Sequence, residues 1–139
     1  MRTHSDLDAF RTLVDSHEAD AGLIAKIERP KALEHIDAIL EATDAVMVTR
    51  GDLGGELPPK QVPATQQQLL VQARLHRRSI IVAIQMLEFM TENARPTHAE
   101  VTDISHNIVA GSDAVMLSSE SAASSYPIEA VQMMDRIAR

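Results

Sequence analysis

Hydrophobic residues in this 139-residue chain form short runs that alternate with longer amphipathic stretches. Runs of Leu, Ile, Val and Ala predict buried β-strands at residues 23–27, 45–48, 79–84 and 115–117. Apolar residues at helical spacing predict helices at 6–18, 30–40, 62–77 and 98–109 and from Pro127 onward. Pro30 suits a first helical turn, and Gly111 suits the position just after a helix. Residues 50–55 and 118–125 are predicted to be loops.

Strands that alternate with helices predict an α/β fold, in which a parallel sheet is covered by helices. Two architectures fit four β/α units: an open four-stranded sheet, or half of an eight-stranded TIM (β/α)8 barrel. No linker or composition shift divides the chain, so residues 1–139 are predicted to form a single domain. Either architecture leaves two open sheet edges, and a half-barrel also exposes an apolar inner face. We therefore expect a homo-oligomer that forms through these edges.

The composition of the chain limits which binding partners and which cellular location we expect. The formal charge of −7 argues against nucleic acid and anionic membranes as partners. No apolar run approaches the roughly 20 residues that span a bilayer, and the absence of cysteine fits a reducing, cytoplasmic location. Aromatic residues make up only 2% of the chain, so the core is expected to consist of aliphatic residues and methionine.

Polar residues follow the predicted strands at their carboxyl ends, where parallel β/α folds bind ligands. Lys26 and Glu28 end the first strand and point the same way, because residues i and i+2 share one face. Gly51 and Asp52 follow the second strand. Glu28 and Asp52 are oxygen ligands suited to Mg²⁺ or Mn²⁺, and Lys26 could stabilise an enolate or a phosphoryl group. The alternative is a buried Lys–Glu pair beside a surface turn around Asp52.

Five ordered segments strengthen the functional interpretation. Together they resemble pyruvate kinase, in the C-terminal half of its catalytic barrel, over nearly the whole chain. They are Ile24-Ala25-Lys26-Ile27-Glu28, Met47-Val48-Thr49-Arg50-Gly51-Asp52-Leu53-Gly54, Gln85-Met86-Leu87-Glu88, Arg95-Pro96-Thr97-His98-Ala99-Glu100-Val101 and Ser112-Asp113-Ala114-Val115-Met116-Leu117-Ser118.

The resemblance implies glycolytic phosphoryl transfer between phosphoenolpyruvate and ADP, with Mg²⁺ and usually K⁺. By position, Lys26 matches the lysine that neutralises the transferred phosphoryl group and the enolate. Glu28 and Asp52 match the two carboxylates that hold Mg²⁺. The backbone N–H groups of Gly51 and Asp52 match those that bind the substrate carboxylate.

Several departures weaken the implied activity. Ile84 stands at the substrate-binding position where the family has threonine, and Phe89 replaces a serine. The family's K⁺ ligands, first half-barrel, lid and regulatory domain have no counterpart in these 139 residues. The resemblance therefore implies a partial Mg²⁺ and pyruvate-enolate subsite that binds a phosphoenolpyruvate-like or pyruvate-like small molecule, with weak or no activity alone. The alternative is a non-catalytic, self-assembling half-barrel.

Overall fold

The computed structural model describes residues 4–83 and 85–139, which fold as an α/β protein. The strands are β1 (Ile24–Ile27), β2 (Ala45–Thr49), β3 (Ser79–Ala83) and β4 (Ala114–Met116). The helices are α1 (His4–Ser16), α2 (Pro30–Leu33), α3 (Ile36–Ala42), α4 (Arg50–Glu56), α5 (Val62–Leu75), α6 (His98–Val109), α7 (Ser119–Ala122) and α8 (Pro127–Ala138). Short 3-10 turns lie at Pro59–Gln61 and Glu88–Thr91. The predicted parallel four-stranded sheet is confirmed, with strand order β1-β2-β3-β4.

The chain divides into two compact units, and the boundary between them in the sequence falls within β3, after Ile81. In the first unit, β1 and β2 pair in parallel, with Ala25 opposite Val46 and Ile27 opposite Val48. These four side chains are buried, and α5 packs on β2. The opposite face of β1 carries Ile24 and Lys26, which are both exposed.

The second unit contains the end of β3, β4 and the helices α6, α7 and α8. Methionines fill much of its core, as predicted: Met86 and Met90 are fully buried, and Met134 is nearly so. The two phenylalanines of the chain, Phe10 and Phe89, are both largely exposed. The core of each unit is therefore aliphatic, as the composition predicted.

Helix α6 agrees with its predicted bounds because both of its ends carry clear local signals. At its start, the Thr97 hydroxyl accepts a hydrogen bond from the Glu100 N–H, and a Glu100 carboxylate oxygen accepts one from the Thr97 N–H. This reciprocal pair is a capping box. After its end, Gly111 has φ 96°, the left-handed conformation that glycine adopts without strain.

Three predictions about the connections were wrong. Residues 50–55, predicted as a loop, belong to α4, which is anchored by the fully buried Leu53. The predicted loop 118–125 contains α7, whose Glu120 side chain is buried. The predicted helix from residue 30 to 40 is two helices, α2 and α3, because His35 leaves the helical conformation with φ −122° and ψ 22°. No helix in the described part of the chain is both long and apolar enough to cross a membrane.

Candidate functional site

Lys26 and Glu28 form an ion pair at the carboxyl end of β1. Their side chains leave the strand on the same face, and Lys26 Nζ lies 2.6 Å from Glu28 Oε1. Lys26 is about half exposed, so the alternative prediction that the Lys–Glu pair is buried was wrong. Ion pairs that are exposed to solvent add only about 0–1 kcal/mol to stability, so this pair contributes little to holding the fold together.

Each partner shifts the pKa of the other towards the charged form. The hydrogen bond with Glu28 is the main cause that raises the pKa of Lys26, and the negative charges of Glu28 and Asp52 act in the same direction. The hydrogen bond from Lys26 is the main cause that lowers the pKa of Glu28, assisted by the charges of Lys26 and Arg29. At neutral pH the site therefore presents an ammonium beside a carboxylate.

Asp52 lies in the helix that follows the adjacent strand, β2. Helix α4 begins at Arg50, directly after β2 ends, so Asp52 lies in its first turn. The next residue of the helix, Leu53, has a buried side chain, while the Asp52 side chain is exposed. Its negative charge helps to raise the pKa of Lys26. Lys26 therefore interacts electrostatically with both predicted carboxylates, Glu28 and Asp52. The predicted surface turn around Asp52 is a helix instead.

Gly51 occupies the position before Asp52, in the same first turn of α4. The first N–H groups of a helix have no partner within the helix, so they can donate to an anion. Gly51 is half-buried. This placement agrees with the role that the family resemblance implies for the two backbone N–H groups.

Ile84, the position where the family carries threonine, lies outside the described residues. The residue that follows it, Gln85, has φ 58°, an uncommon backbone conformation for a residue other than glycine. After it, Met86 and Leu87 are fully buried. Met86 and Leu87 therefore belong to the core of the second unit.

Sequence reasoning missed the contribution of Glu120. Its side chain is 1% exposed, and its Oε1 accepts hydrogen bonds from the N–H groups of Met86 at 3.2 Å and Leu87 at 3.4 Å. Its Oε2 accepts from the Ser118 N–H at 2.8 Å. Glu120 thus joins the segment after β3 to the segment after β4. The available signal was that Glu120 is the one acid in the serine-rich stretch 118–125.

The carboxylates of the first unit are possible ligands for a divalent ion. Among residues 4–83 and 85–139, no group of three or more His, Cys, Asp or Glu side chains is arranged to hold a metal. Mg²⁺, however, commonly uses one or two carboxylates and completes its coordination with water and substrate oxygens. The ion pair uses Oε1 of Glu28, and a carboxylate has a second oxygen that can coordinate. Glu28 and Asp52 therefore fit the chemistry of such a site.

Comparisons with known proteins agree on one family. Residues 1–131 match the family model "Pyruvate kinase, barrel domain". The chain is 47% identical over 137 residues to a pyruvate kinase of Agrobacterium vitis, and this match covers 99% of the chain and 28% of the relative. It is 43% identical to a pyruvate kinase of Mycobacterium tuberculosis, covering 99% of the chain and 29% of the relative.

A solved structure supports the same relationship. The crystal structure of a pyruvate kinase from Cryptosporidium parvum superposes with a TM-score of 0.97 at 32% identity. The superposition covers 99% of this chain and 30% of that one. The chain spans between 24% and 29% of the length of the pyruvate kinases from Agrobacterium vitis, Mycobacterium tuberculosis and Bacillus licheniformis.

Proposed function

Because the chain belongs to the pyruvate kinase family through that family's barrel domain, we propose that it carries the metal and enolate side of a pyruvate kinase site. The proposed substrate is phosphoenolpyruvate or pyruvate, and the proposed ion is Mg²⁺ or Mn²⁺. The observation that carries this proposal is the Lys26–Glu28 pair at 2.6 Å, with Asp52 close enough for its charge to act on Lys26.

Each residue has a distinct proposed role. Glu28 and Asp52 hold the ion, which when bound would stabilise negative charge on the substrate oxygens. Lys26 remains protonated and stabilises charge on the enolate or on the transferred phosphoryl group. The N–H groups of Gly51 and Asp52 bind the substrate carboxylate. The raised pKa of Lys26 supports this assignment, because the role requires a cation over the whole neutral range.

The proposed activity of the chain alone is weak. Phosphoryl transfer requires groups that position both the donor and the acceptor along one line. Lys26, Glu28 and Asp52 serve only the enolate and metal side. Ile84 supplies no hydroxyl where the family's threonine binds substrate, and the family's K⁺ site is not part of the proposal. A cytoplasmic location is the one that accords with this glycolytic reaction.

Exchange of the methyl protons of pyruvate in D₂O tests the metal and enolate roles without requiring ADP. Proton NMR should detect exchange that depends on Mg²⁺ and on protein. Glu28→Gln should abolish it, because the ion then loses a carboxylate ligand, whereas Asp20→Asn is the matched control, since Asp20 is an exposed acid in the segment before β1. Exchange that continues unchanged in Glu28→Gln would refute the proposal. Ile84→Thr should raise the rate.

A second candidate function is a non-catalytic half-barrel that acts by association. The observation that favours it is the exposure of large apolar side chains, with Ile24 51% and Phe10 59% exposed. The simplest form is the predicted homo-oligomer through open sheet edges. Sedimentation velocity tests this candidate. A concentration-dependent dimer with no metal-dependent pyruvate exchange would favour it, and a monomer that catalyses exchange would exclude it.

A further inference from the structure

The Glu28 carboxylate already holds a cation in this structure. Lys26 Nζ donates a hydrogen bond to Glu28 Oε1 over 2.6 Å. Such a charge-assisted bond is roughly twice as strong as one between neutral groups. The neighbouring Arg29 adds a second positive charge that acts on Glu28. The carboxylate that we propose as a metal ligand is therefore partly neutralised before any metal ion approaches it.

Lys26 and a divalent ion compete for this carboxylate. Glu28 has a second oxygen that can coordinate, but an ion bound there shares the carboxylate with the ammonium of Lys26. Two positive charges this close repel each other, and Mg²⁺ or Mn²⁺ carries twice the charge of the ammonium. The Asp52 carboxylate also attracts Lys26, so both proposed metal ligands favour the ammonium. In a chain without substrate, Lys26 thus opposes metal binding.

An anionic substrate reverses this effect of Lys26. The ammonium carries three hydrogen-bond donors on a flexible four-carbon stem, so it can exchange one acceptor for another. Because the Lys26 side chain is 52% exposed, the ammonium has room to move away from Glu28. An enolate or its mimic oxalate has oxygens that can bind the metal ion, and the same anion offers Lys26 a replacement acceptor. Its negative charge attracts both cations, so Lys26 then favours the ion that it otherwise opposes.

We therefore infer that Lys26 makes metal binding depend on the anionic substrate, because it opposes the ion in the free chain and supports it when the anion is present. This regulation rests on the proposed function, since it acts on the proposed ligands Glu28 and Asp52. Linkage makes the effect reciprocal: the factor by which the anion strengthens metal binding is the factor by which the metal strengthens anion binding. An ion pair with a purely structural role predicts no such dependence.

Electron paramagnetic resonance of free Mn²⁺ measures metal binding by the full chain without an activity assay. Lys26→Met should bind Mn²⁺ alone at least about tenfold more tightly than the unsubstituted chain, which is the scale of one hydrogen bond to a charged group. Saturating oxalate should tighten Mn²⁺ binding by the unsubstituted chain, after correction for the Mn²⁺–oxalate complex in a sample without protein. In Lys26→Met this factor should be at least about tenfold smaller. Lys26→Arg keeps a cation beside Glu28, so it should retain the weak binding of Mn²⁺ alone.

Lys60→Met is the matched control, because it removes the same charge from an exposed lysine in the 3-10 turn Pro59–Gln61. At 0.15 M salt, where the charges of exposed groups are largely screened beyond about 8 Å, it should change Mn²⁺ affinity by less than about twofold. It should leave the effect of oxalate unchanged as well. Circular dichroism establishes that each variant is folded.

Three results would overturn the inference. The first is equal or weaker binding of Mn²⁺ alone by Lys26→Met, which would show that Lys26 does not compete for Glu28. A loss of Mn²⁺ binding in Glu28→Gln would then still support the proposed metal site. The second is an increase in Lys60→Met as large as that in Lys26→Met, which would reduce the effect to net charge. The third is no Mn²⁺ binding by any variant even with oxalate, which would refute the proposed function together with the inference.

Discussion

Replacement of Glu120 is predicted to destabilise the second unit strongly. In Glu120→Gln one side-chain oxygen remains to accept from the N–H groups of Met86 and Leu87, which lie at 3.2 and 3.4 Å. The other oxygen becomes an NH₂ group that faces the Ser118 N–H, whose bond at 2.8 Å is the shortest of the three. Two donors then point at each other at a partly buried position.

The expected loss of unfolding free energy follows from these three hydrogen bonds. A fully buried donor that loses its acceptor costs about 1–3 kcal/mol, and the Ser118 N–H is partly buried. The two retained bonds change from a charged to a neutral acceptor, which roughly halves their strength. We therefore expect Glu120→Gln to lower the free energy of unfolding by about 2–4 kcal/mol, a large part of the 5–15 kcal/mol that is usual for a domain.

Urea unfolding followed by circular dichroism measures this loss. Glu92→Gln is the matched control, because Glu92 is an exposed acid in the segment after β3, and it should change stability by less than about 0.5 kcal/mol. Amide hydrogen exchange adds a local readout: protection should fall first at Met86, Leu87 and Ser118. A Glu120→Gln variant as stable as the control, with unchanged protection at these amides, would refute the reasoning.

Three further predictions concern the first unit and helix α6. The hydrogen bond from Arg11, followed by that from the Leu23 N–H, lowers the pKa of Asp44. The stability that this carboxylate adds is therefore full above the unfolded pKa, about 3.9, and disappears as pH falls through the lower folded pKa. Acid titrations should show the stability difference between the unsubstituted chain and Asp44→Asn closing in that range. Thr97→Ala should cost about 1 kcal/mol in thermal unfolding through loss of the cap, and Thr97→Ser should restore most of it. Glu28→Gln should lower the pKa of Lys26, as measured by NMR titration, because it removes the main cause of its increase.

Each of these has a clear contrary result. A stability difference for Asp44→Asn that persists below the folded pKa would show that the carboxylate acts by shape rather than charge. Equal stability of Thr97→Ala and Thr97→Ser would show that the hydroxyl does not cap α6. An unchanged pKa of Lys26 in Glu28→Gln would show that the two side chains are not paired in solution.

Features encoded locally could be predicted from the sequence. The strands coincide with runs of β-branched and aliphatic residues, and β2 extends its predicted run by one residue to Thr49. Helix α6 has a capping box at one end and Gly111 at the other. Lys26 and Glu28 could be placed together because the strand period of two residues fixes their relative direction.

Features that depend on tertiary contacts could not be predicted in this way. Glycine-rich residues 50–55 read as a loop, but burial of Leu53 holds them in α4. The serines of 118–125 also read as a loop, but Glu120 is held there by backbone donors from a segment more than 30 residues away. The sequence around Glu120 contains no pattern that indicates such distant hydrogen-bond partners. The half-barrel, the single domain and self-association remain predictions.

Calorimetric titration of oxalate, a mimic of the pyruvate enolate, tests the central claim most directly. With Mn²⁺ present, the chain should bind oxalate, and binding should disappear both without the metal and in Asp52→Asn. Asp20→Asn should bind as the unsubstituted chain does. Absence of binding at millimolar oxalate with Mn²⁺, or equal binding in Asp52→Asn, would contradict the assignment of Lys26, Glu28 and Asp52 as a working metal and enolate site.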